Sequence, residues 1–243
     1  MTTLTGKRIL VTGGTTGIGR ETVKLLVAQG AHVLTFGRSQ GPLDELLAEA
    51  SAGPGQIFGI TADAGTKDGL DKVFVSVDQM LAGLDMLVAC AALGADPLTE
   101  MAEDDWRYVI ETNLVGYLAS AQRAITRLEA SGGGHLLFVG SISTEIKAAG
   151  ESVYSATKAG IQAFAETLRK EISAQKNIKV SVIQPGSVET DMQECTDEEK
   201  AEAVKKQQML HSEEVADAIV WVLTRPRANI VNLRIEPLDQ KTS

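Results

Sequence analysis

Tyr154 and Lys158 lie four residues apart in the stretch VYSATKAG, and Ser141 lies thirteen residues before the tyrosine. Residues at positions i and i+4 share one face of a helix, so the phenol and the ammonium can point into one site. A phenol titrates near ~10 in water, so proton transfer at neutral pH requires a pKa lower by roughly three units, or about 4 kcal/mol. A fixed lysine can supply much of this free energy. The pair indicates acid–base chemistry, although the same spacing also occurs in ordinary surface pairs.

A glycine-rich turn, Thr12-Gly13-Gly14-Thr15-Thr16-Gly17-Ile18-Gly19, follows the first predicted strand and opens the first predicted helix. Glycine permits a tight turn and lets backbone amides approach a pyrophosphate, and the N-terminus of the helix favours the anion. Directly after the first strand of a β–α–β unit, such a turn is a strong signal for dinucleotide binding. Its spacing is TGxxxGxG rather than GxGxxG. The predicted cofactor contacts in this turn are Gly13, Thr15, Thr16, Gly17, Ile18 and Gly19.

Short β-branched runs alternate with longer helical patterns along the chain. The predicted strands are Arg8 to Thr12, His32 to Phe36, Gln56 to Ile60, Met86 to Cys90, His135 to Gly140, Lys179 to Gln184 and Ile230 to Ile235. This alternation predicts an α/β fold, a Rossmann-type doubly wound parallel sheet with helices on both faces. The expected strand order is 3-2-1-4-5-6-7. Since the sequence contains neither an internal repeat nor a linker, residues 1–243 are predicted to form a single dinucleotide-binding and catalytic domain.

Composition excludes several classes of protein. Apolar residues make up 44% of the 243 residues and charged residues 23%, which suits a compact domain with a sizeable core. The net charge of −9 argues against partners such as nucleic acid or anionic membrane. The N-terminal stretch MTTLTGKRIL lacks the apolar core of a signal peptide, and two cysteines make no disulfide framework, so we expect a cytoplasmic protein. The three histidines are scattered, and no metal site is predicted.

Two long helices are predicted, from about Asp104 to Ala130 and from Tyr154 to Ala174. The apolar stripe of the first is Trp106, Ile110, Leu114, Leu118, Ile125 and Leu128, and that of the second is Ile161, Phe164, Leu168 and Ile172. Both stripes favour packing against the sheet. The second helix also carries small residues that would permit close packing between subunits. The charged segment from Glu194 to Gln208 is either a solvated helix or a substrate lid.

From about Leu4 to Pro237 the chain resembles the short-chain dehydrogenase/reductase family. The resemblance rests on the TGxxxGxG turn, the Tyr154 and Lys158 pair, Ser141 at the family's spacing, Asn113 in ETNLVG, and the Pro-Gly of IQPGSVETDM. Five motifs in the family's order make it specific. The resemblance implies hydride transfer between a nicotinamide cofactor and a small carbonyl or alcohol substrate. It also implies a homo-oligomer, either a tetramer or a dimer.

The resemblance implies a role for each of four residues. Tyr154 would be the general acid for carbonyl reduction and the base for alcohol oxidation. Lys158 would lower the pKa of that phenol and hold the nicotinamide ribose. Ser141 would hydrogen-bond the substrate oxygen. Asn113 would join a proton relay through water to Lys158, although an asparagine here is also an ordinary weak helix former. The stretch expected against the nicotinamide contains Pro185, Gly186, Val188 and Thr190.

Cofactor choice depends on the end of the second predicted strand, which reads TFGRSQ. Users of NAD commonly carry an acidic residue there for the ribose 2′-hydroxyl. This chain has Gly37 at that position, followed by Arg38, whose guanidinium can pair bidentately with a 2′-phosphate. The sequence therefore predicts NADP(H), with the alternative that Arg38 is only a surface residue. Asp63 matches the family position that contacts the adenine.

Two stretches depart from the family pattern. The usual Asn-Asn-Ala-Gly after the fourth strand is replaced by Ala89-Cys90-Ala91-Ala92, so a tie between strands is missing, although Cys90 and Ala91 can still offer backbone groups to the ribose. The tail RPRANIVNLRIEPLDQ resembles members that act on short hydroxy acids and aldehydes, whereas ETNLVG and PGSVETDM resemble reductases of 3-oxoacyl thioesters. The substrate is left open between them.

The sequence thus favours an NADP(H)-dependent oxidoreductase that reduces an aldehyde or ketone to an alcohol, or catalyses the reverse reaction. Its catalytic set would be Asn113, Ser141, Tyr154 and Lys158. The lost asparagines leave open an alternative, a non-catalytic NADP(H)-binding sensor or scaffold.

Overall fold

The computed structural model describes residues 2–193 and 195–240. Over these residues the chain builds a seven-stranded sheet in the order β3-β2-β1-β4-β5-β6-β7. Every neighbouring pair of strands is parallel. The predicted fold class and strand order are therefore confirmed. The chain winds outward from β1 to β3, then crosses back to β4, so the carboxyl ends of β1 and β4 border a crevice between the two halves of the sheet.

The strands are β1 Arg8–Thr12, β2 His32–Gly37, β3 Gln56–Thr61, β4 Met86–Ala89, β5 Gly134–Val139, β6 Ile178–Pro185 and β7 Asn232–Ile235. The α-helices are α1 Gly17–Ala28, α2 Gln40–Ala50, α3 Lys67–Ser76, α4 Glu103–Ile110, α5 Gly116–Ala130, α6 Ser143–Ile146, α7 Ser152–Lys176, α8 Asp197–Lys205 and α9 Ser212–Leu223. Several strand ends differ from the prediction by one or two residues. The fourth strand ends at Ala89 rather than Cys90 because the amide of Cys90 turns to Thr12.

Alternating side chains of the central strands enter two separate cores, one on each face of the sheet. Leu10, Leu34 and Leu136 pack under α3, α5 and α7. Ile9, Val33 and Leu137 pack under α1, α2 and α9. Burying a leucine or isoleucine of this kind contributes roughly 1.5–3 kcal/mol, so the two cores fix the strand register and hold the crevice open between them.

The predicted helix from Asp104 to Ala130 is interrupted by a π-helical turn at Glu111–Val115. An extra residue in the turn rotates the buried face of the following helix. As a result Tyr117, Ala121 and Leu128 are buried, whereas Leu118, expected against the sheet, is 37% exposed. Of the predicted stripe, Trp106, Ile110, Leu114 and Ile125 are half-buried. In α7 the predicted residues Ile161, Leu168 and Ile172 are buried, and Phe164 packs edge-on against Phe138.

Candidate functional site

A cleft of about 470 Å³ opens at the carboxyl edge of the sheet. Of the eighteen predicted site positions it is lined by seventeen: Gly13, Thr15, Thr16, Gly17, Ile18, Gly19, Arg38, Asp63, Cys90, Ala91, Ser141, Tyr154, Lys158, Pro185, Gly186, Val188 and Thr190. Asn113, the remaining one, lies beneath the cleft. Because carboxyl ends of parallel strands meet at one edge, residues far apart in the sequence converge here.

The glycine-rich turn closes against the end of β4. Gly13 has a φ of +66°, and a Cβ at this position would lie 2.6 Å from the Cα of Ala91. Any other residue would therefore be strained and would push the two strands apart. Thr16 directly precedes α1. As the structure describes it, the first turn of this helix has no acidic side chain that would repel an anion. The first amides of a helix have no intrahelical partner, so this end of the cleft suits a pyrophosphate.

The end of β2 is closed to a larger residue by Thr15. A Cβ at Gly37 would lie 2.3 Å from Oγ1 of Thr15 and 2.7 Å from its Cγ2. A short β-branched side chain cannot swing away at low cost. An aspartate at position 37 is therefore excluded while Thr15 keeps its place, which leaves Arg38 as the charged residue at the rim.

Arg38 is exposed and is connected to Asp63 through Tyr108, a residue of α4. Nη1 of Arg38 donates to the hydroxyl of Tyr108 at 3.3 Å, and that hydroxyl donates to Oδ2 of Asp63 at 2.7 Å. The guanidinium carbon also lies 5.9 Å from the centre of the tyrosine ring. Sequence analysis did not identify Tyr108, because it precedes the ETNLVG motif and belongs to an ordinary helical pattern.

The departure from Asn-Asn-Ala-Gly is compensated from β1. The amides of Cys90 and Ala91 both donate to Oγ1 of Thr12, each at 3.1 Å. Thr12 is 2% exposed, so one buried hydroxyl ties the end of β4 to β1. The amides of Cys90 and Ala91 are therefore already hydrogen-bonded to Thr12. The prediction that these two residues offer backbone groups to the ribose then applies to their carbonyl groups. Burial raises the pKa of the Cys90 thiol to about 12, so this thiol is not a nucleophile.

Ser141 follows β5 and is oriented by its neighbours. Its hydroxyl donates to Oγ of Ser143 at 3.1 Å and accepts a hydrogen bond from the amide of Ser143 at 3.1 Å. Thr144 donates from its hydroxyl to the carbonyl of Ser141 at 3.0 Å and accepts from Nε2 of Gln184 at 3.0 Å. Ser143 and Thr144 therefore support the loop that presents Ser141.

Tyr154 and Lys158 project from the first turns of α7. The ammonium of Lys158, whose residue is 1% exposed, donates to the carbonyl of Val139 at 2.9 Å. Its Nζ lies 5.6 Å from the centre of the Tyr154 ring and 5.4 Å from that of Tyr117. The predicted i, i+4 geometry is present, and it places the lysine deeper than the phenol.

Burial dominates the titration of this pair. It raises the pKa of Tyr154 to about 12, although the nearby Ser141 hydroxyl acts in the opposite direction by hydrogen bonding. It lowers the pKa of Lys158 to about 8. In this structure desolvation and the charge of Glu151 both raise the pKa of the phenol, and the lowering of that pKa by Lys158 stays a prediction. Additional positive charge against the ring is required for a phenolate near neutral pH.

Asn113 lies within the π-helical turn and is fully buried. Its Nδ2 donates to the carbonyl of Leu93 at 2.8 Å, and its Oδ1 accepts from the amide of Leu93 at 2.8 Å. Both ends of the carboxamide thus hold the loop that follows β4, and Leu93 itself lines the cleft. Both polar atoms of the Asn113 side chain are hydrogen-bonded to Leu93. The proton relay from Asn113 through water to Lys158 stays a prediction, and it would use the main chain of Asn113.

The segment after β6 forms the mouth of the cleft and is fixed from the C-terminal tail. Oε1 of Gln240 accepts from the amide of Ser187 at 2.8 Å, and its Nε2 donates to the hydroxyl of Ser187 at 3.1 Å. The amide of Asp239 donates to the carbonyl of Gln207 at 2.8 Å. Sequence analysis used this tail only for the substrate resemblance and did not predict these contacts, since contacts of this kind carry no local pattern.

The charged segment forms α8, which buries none of its described residues, as the solvated alternative predicts. Glu194 lies outside the described residues. Beyond α8 the chain returns to pair Leu210 with Val188. His211 contacts Glu189, which raises the pKa of its imidazole, and with Glu213 these side chains bring possible ligand atoms within 4.8 Å of one another. The ion pair accounts for this largely exposed cluster.

Known proteins resemble the chain over most of its length. A model of the family described as short chain dehydrogenase matches residues 7–201. An uncharacterized oxidoreductase of Staphylococcus haemolyticus is 30% identical over 240 residues, covering 98% of this chain and 100% of that protein. A 3-oxoacyl-[acyl-carrier-protein] reductase of Chlamydia pneumoniae is 36% identical over 209 residues, covering 84% and 82%. The solved structure of a short chain dehydrogenase from Burkholderia cenocepacia in complex with NADP has a TM-score of 0.86 at 28% identity, covering 96% and 98%.

Proposed function

We propose that this chain, which belongs to the short-chain dehydrogenase family, is an NADP(H)-dependent oxidoreductase that interconverts an aldehyde or ketone and its alcohol. The observation that carries the proposal is that one cleft has Ser141, Tyr154 and Lys158 at one end and Arg38, which follows β2, at the other. Proton-transfer groups and an anion-binding rim are thereby held on one rigid sheet edge. The bound nicotinamide would supply or accept the hydride.

Tyr154 is the proton carrier in this proposal. Its phenol is half-buried at the cleft and lies beside the Ser141 hydroxyl, so a substrate oxygen that meets both would receive a hydrogen bond and a proton. To donate to that oxygen, the Ser141 hydroxyl would turn its one proton from Oγ of Ser143, while the amide of Ser143 continues to hold the Ser141 oxygen in place. Proton transfer in the reverse direction, during alcohol oxidation, uses the same two side chains.

Lys158 contributes a fixed positive charge beneath the phenol. Its pKa of about 8 keeps it mainly charged at neutral pH, and the Val139 carbonyl holds the ammonium in place. Because the phenol's own pKa is about 12, one cation does not suffice. The cationic form of the nicotinamide cofactor would add charge against the same ring, in the direction that alcohol oxidation needs.

Three features support NADP(H). Thr15 excludes an acidic residue at Gly37, the neighbouring Arg38 offers donors at the rim, and the glycine turn can receive the pyrophosphate. The Burkholderia relative, solved in complex with NADP, agrees with this choice. Arg38 would pair with the 2′-phosphate, and Asp63 would lie at the adenine side. Cys90 and Ala91 would face the ribose, with Pro185, Gly186, Val188 and Thr190 against the nicotinamide.

The substrate class is a small carbonyl compound or alcohol. The Chlamydia relative is named as a reductase of 3-oxoacyl groups on acyl carrier protein, which agrees with a carbonyl substrate. The alternative of a non-catalytic sensor was motivated by the lost asparagines. It loses that support because Thr12 and Asn113 now fix the end of β4 and the loop that follows it.

The proposal is tested with a panel of aldehydes, ketones and alcohols, each supplied with NADPH or NADH, or with the oxidised cofactors, and followed by nicotinamide absorbance. We expect turnover with some carbonyl compounds and a preference for NADPH of about tenfold or more, from one charge-assisted interaction. Cofactor binding without turnover across the panel would support the sensor instead. A parent enzyme that prefers NADH would refute the cofactor assignment but not the chemistry.

Assembly is part of the proposal. Val115, at the end of the π-helical turn, is 43% exposed, and Leu118 in α5 is 37% exposed. On α7 the exposed small residues are Ala156, Ala159 and Ala163. These faces suit packing against another copy in a dimer or tetramer. A monomeric mass by light scattering at micromolar concentration would contradict this expectation. None of the helices in the described residues is both long enough and apolar enough to cross a membrane.

A further inference from the structure

Three side chains from three different elements form a linear hydrogen-bonded array at the adenosine end of the cleft. Arg38 follows β2, Asp63 follows β3 and Tyr108 belongs to α4, 70 residues from the arginine in the chain. The Tyr108 hydroxyl lies between the other two, with Nη1 of Arg38 at 3.3 Å and Oδ2 of Asp63 at 2.7 Å. A guanidinium and a carboxylate that would otherwise attract each other are thus separated by one phenol oxygen.

The direction of each hydrogen bond is fixed. Arginine has no acceptor and an ionised carboxylate has no donor, so the phenol must accept from Arg38 and give its own proton to Asp63. Burial, with the hydrogen bond to Asp63, raises the pKa of Tyr108, so the phenol keeps this proton at neutral pH. Arg38 uses Nη1 in this contact, and its Nε and Nη2 have no hydrogen-bond partner among the described residues, so these donors are available to a ligand.

Asp63 is held at both oxygens, so it cannot turn to Arg38 by itself. Oδ1 accepts from the amide of Gly65 at 2.8 Å while Oδ2 accepts from Tyr108. The tyrosine ring reaches this position because residue 65 is a glycine. A Cβ there would lie 2.9 Å from Cε2 of Tyr108 and 2.7 Å from Oγ1 of Thr112.

We propose that Tyr108 is a positioning residue for recognition of the cofactor's 2′-phosphate, which holds Arg38 at the rim and prevents it from pairing with Asp63. This inference rests on the proposed NADP(H) specificity and adds to it a residue outside the motifs. Without the hydroxyl, Asp63 loses a donor and Arg38 loses an acceptor, and the two can pair directly. A 2′-phosphate would then have to compete with a carboxylate for the guanidinium.

The test is isothermal titration calorimetry of NADP+ and NAD+ against the parent protein, Tyr108→Phe, Arg38→Gln and the double variant. We expect Tyr108→Phe to weaken NADP+ binding relative to NAD+ by about tenfold, the size of one charge-assisted interaction. In the Arg38→Gln background the same change should leave the ratio of the two dissociation constants unaltered, because Tyr108 acts through Arg38. Arg107→Gln is the matched control, since it removes an exposed charge from the neighbouring position, where Arg107 pairs with Glu103.

Thermal melts of each variant establish that it is folded. Gly65→Ala provides a second perturbation, because it displaces the ring of Tyr108 without altering any charge, and it should shift the same ratio. The inference would be overturned if Tyr108→Phe left the ratio of the NADP+ and NAD+ dissociation constants unchanged, whether or not both affinities fell. It would also be overturned if Tyr108→Phe changed that ratio in the Arg38→Gln background. A parent protein that prefers NAD+ would instead refute the proposed cofactor, and that result is visible before any variant is measured.

Discussion

A cation lies beside a phenol at each end of the cleft, and the two pairs behave differently. The guanidinium carbon of Arg38 lies 5.9 Å from the centre of the Tyr108 ring, and Nζ of Lys158 lies 5.6 Å from that of Tyr154. Arg38 is exposed to water, whereas Lys158 is 1% exposed. At the exposed end the phenol serves as a hydrogen-bond bridge. At the buried end, desolvation shifts the pKa of both partners.

The difference shows what burial adds to a simple pair of side chains. In water, charges are stabilised by solvent and a phenol contributes direction rather than charge. In the dry end of the cleft, the pKa of the phenol rises to about 12 and that of the lysine falls to about 8. Both shifts favour the neutral forms, so ionising a phenol with a pKa of about 12 at pH 7 costs about 7 kcal/mol, which the positive charge of a bound cofactor would have to offset. The exposed pair can select a cofactor, and the buried pair can move a proton.

The largest expected effect follows from removing the hydroxyl at the buried end. Tyr154→Phe keeps the ring and deletes the proton, so turnover should fall by ~10²–10⁴-fold, the usual contribution of general acid–base catalysis. Calorimetric affinity for NADP+ should stay near that of the parent, because the adenosine end is untouched. Near-normal turnover in this variant would remove Tyr154 from the mechanism.

Replacing Lys158 by an uncharged residue should impair alcohol oxidation while it stabilises the fold. A lysine whose pKa falls from 10.5 to about 8 destabilises the fold below pH 8, since the unfolded chain holds the proton more strongly. Lys158→Met should therefore raise the free energy of unfolding at pH 7 by about 3 kcal/mol, and the gain should disappear as pH rises towards that of the free lysine. The pH–rate profile for alcohol oxidation should move to higher pH.

Denaturant unfolding at pH 7 and pH 10, with Lys158→Arg as the charge-retaining control, measures the effect on stability. An unchanged profile for alcohol oxidation together with unchanged cofactor affinity would make Lys158 a bystander. A stability gain that persists at pH 10 would show that packing rather than charge is responsible.

A smaller effect, on the stability of the fold, is expected at Thr12, whose hydroxyl ties the end of β4 to β1. Thr12→Val keeps the shape but leaves the amides of Cys90 and Ala91 without their shared acceptor. The amide of Cys90 keeps a second acceptor, the carbonyl of Thr12 at 3.3 Å, so the loss falls on the amide of Ala91. One unsatisfied buried donor costs roughly 1–3 kcal/mol, and we expect a loss of this size in the free energy of unfolding. Thr12→Ser restores the hydroxyl and should recover most of it. If the valine variant melts with the parent, the hydroxyl does not replace the missing asparagine.

A change in salt concentration should produce the smallest effect. It should act on cofactor binding at Arg38 and not on turnover at Tyr154 and Lys158. Because Arg38 is exposed, raising ionic strength from about 0.05 to about 0.5 M should reduce the ratio of NADP+ to NAD+ affinity several-fold. Turnover at saturating cofactor should change little, since Lys158 is shielded from ions. The ratio should be insensitive to salt in Arg38→Gln. Loss of turnover in parallel with the ratio would show that the buried end is open to solvent.

Features that depend on neighbours along the chain were predicted from the sequence. The β-branched strand runs, the glycine turn and the i, i+4 spacing of Tyr154 and Lys158 are each visible over a few neighbouring residues. Their order along the chain was specific enough for the family to be recognised, and the family and the sheet order are confirmed. The π-helical turn at Glu111–Val115 was missed, because Ile110, Leu114 and Leu118 continue the four-residue spacing of an uninterrupted helix across it.

Contacts between distant elements were decided only by the tertiary structure. Tyr108 reaches Arg38, Thr12 reaches Cys90 and Gln240 reaches Ser187 across the sheet edge, and each partner is an ordinary polar residue where it stands in the sequence. The pKa values of Tyr154 and Lys158 also depend on the tertiary structure. The sequence determined which phenol and which lysine would share a site, whereas the depth at which the fold buries them set their pKa values, because desolvation depends on all the atoms packed around a group rather than on its neighbours in the chain.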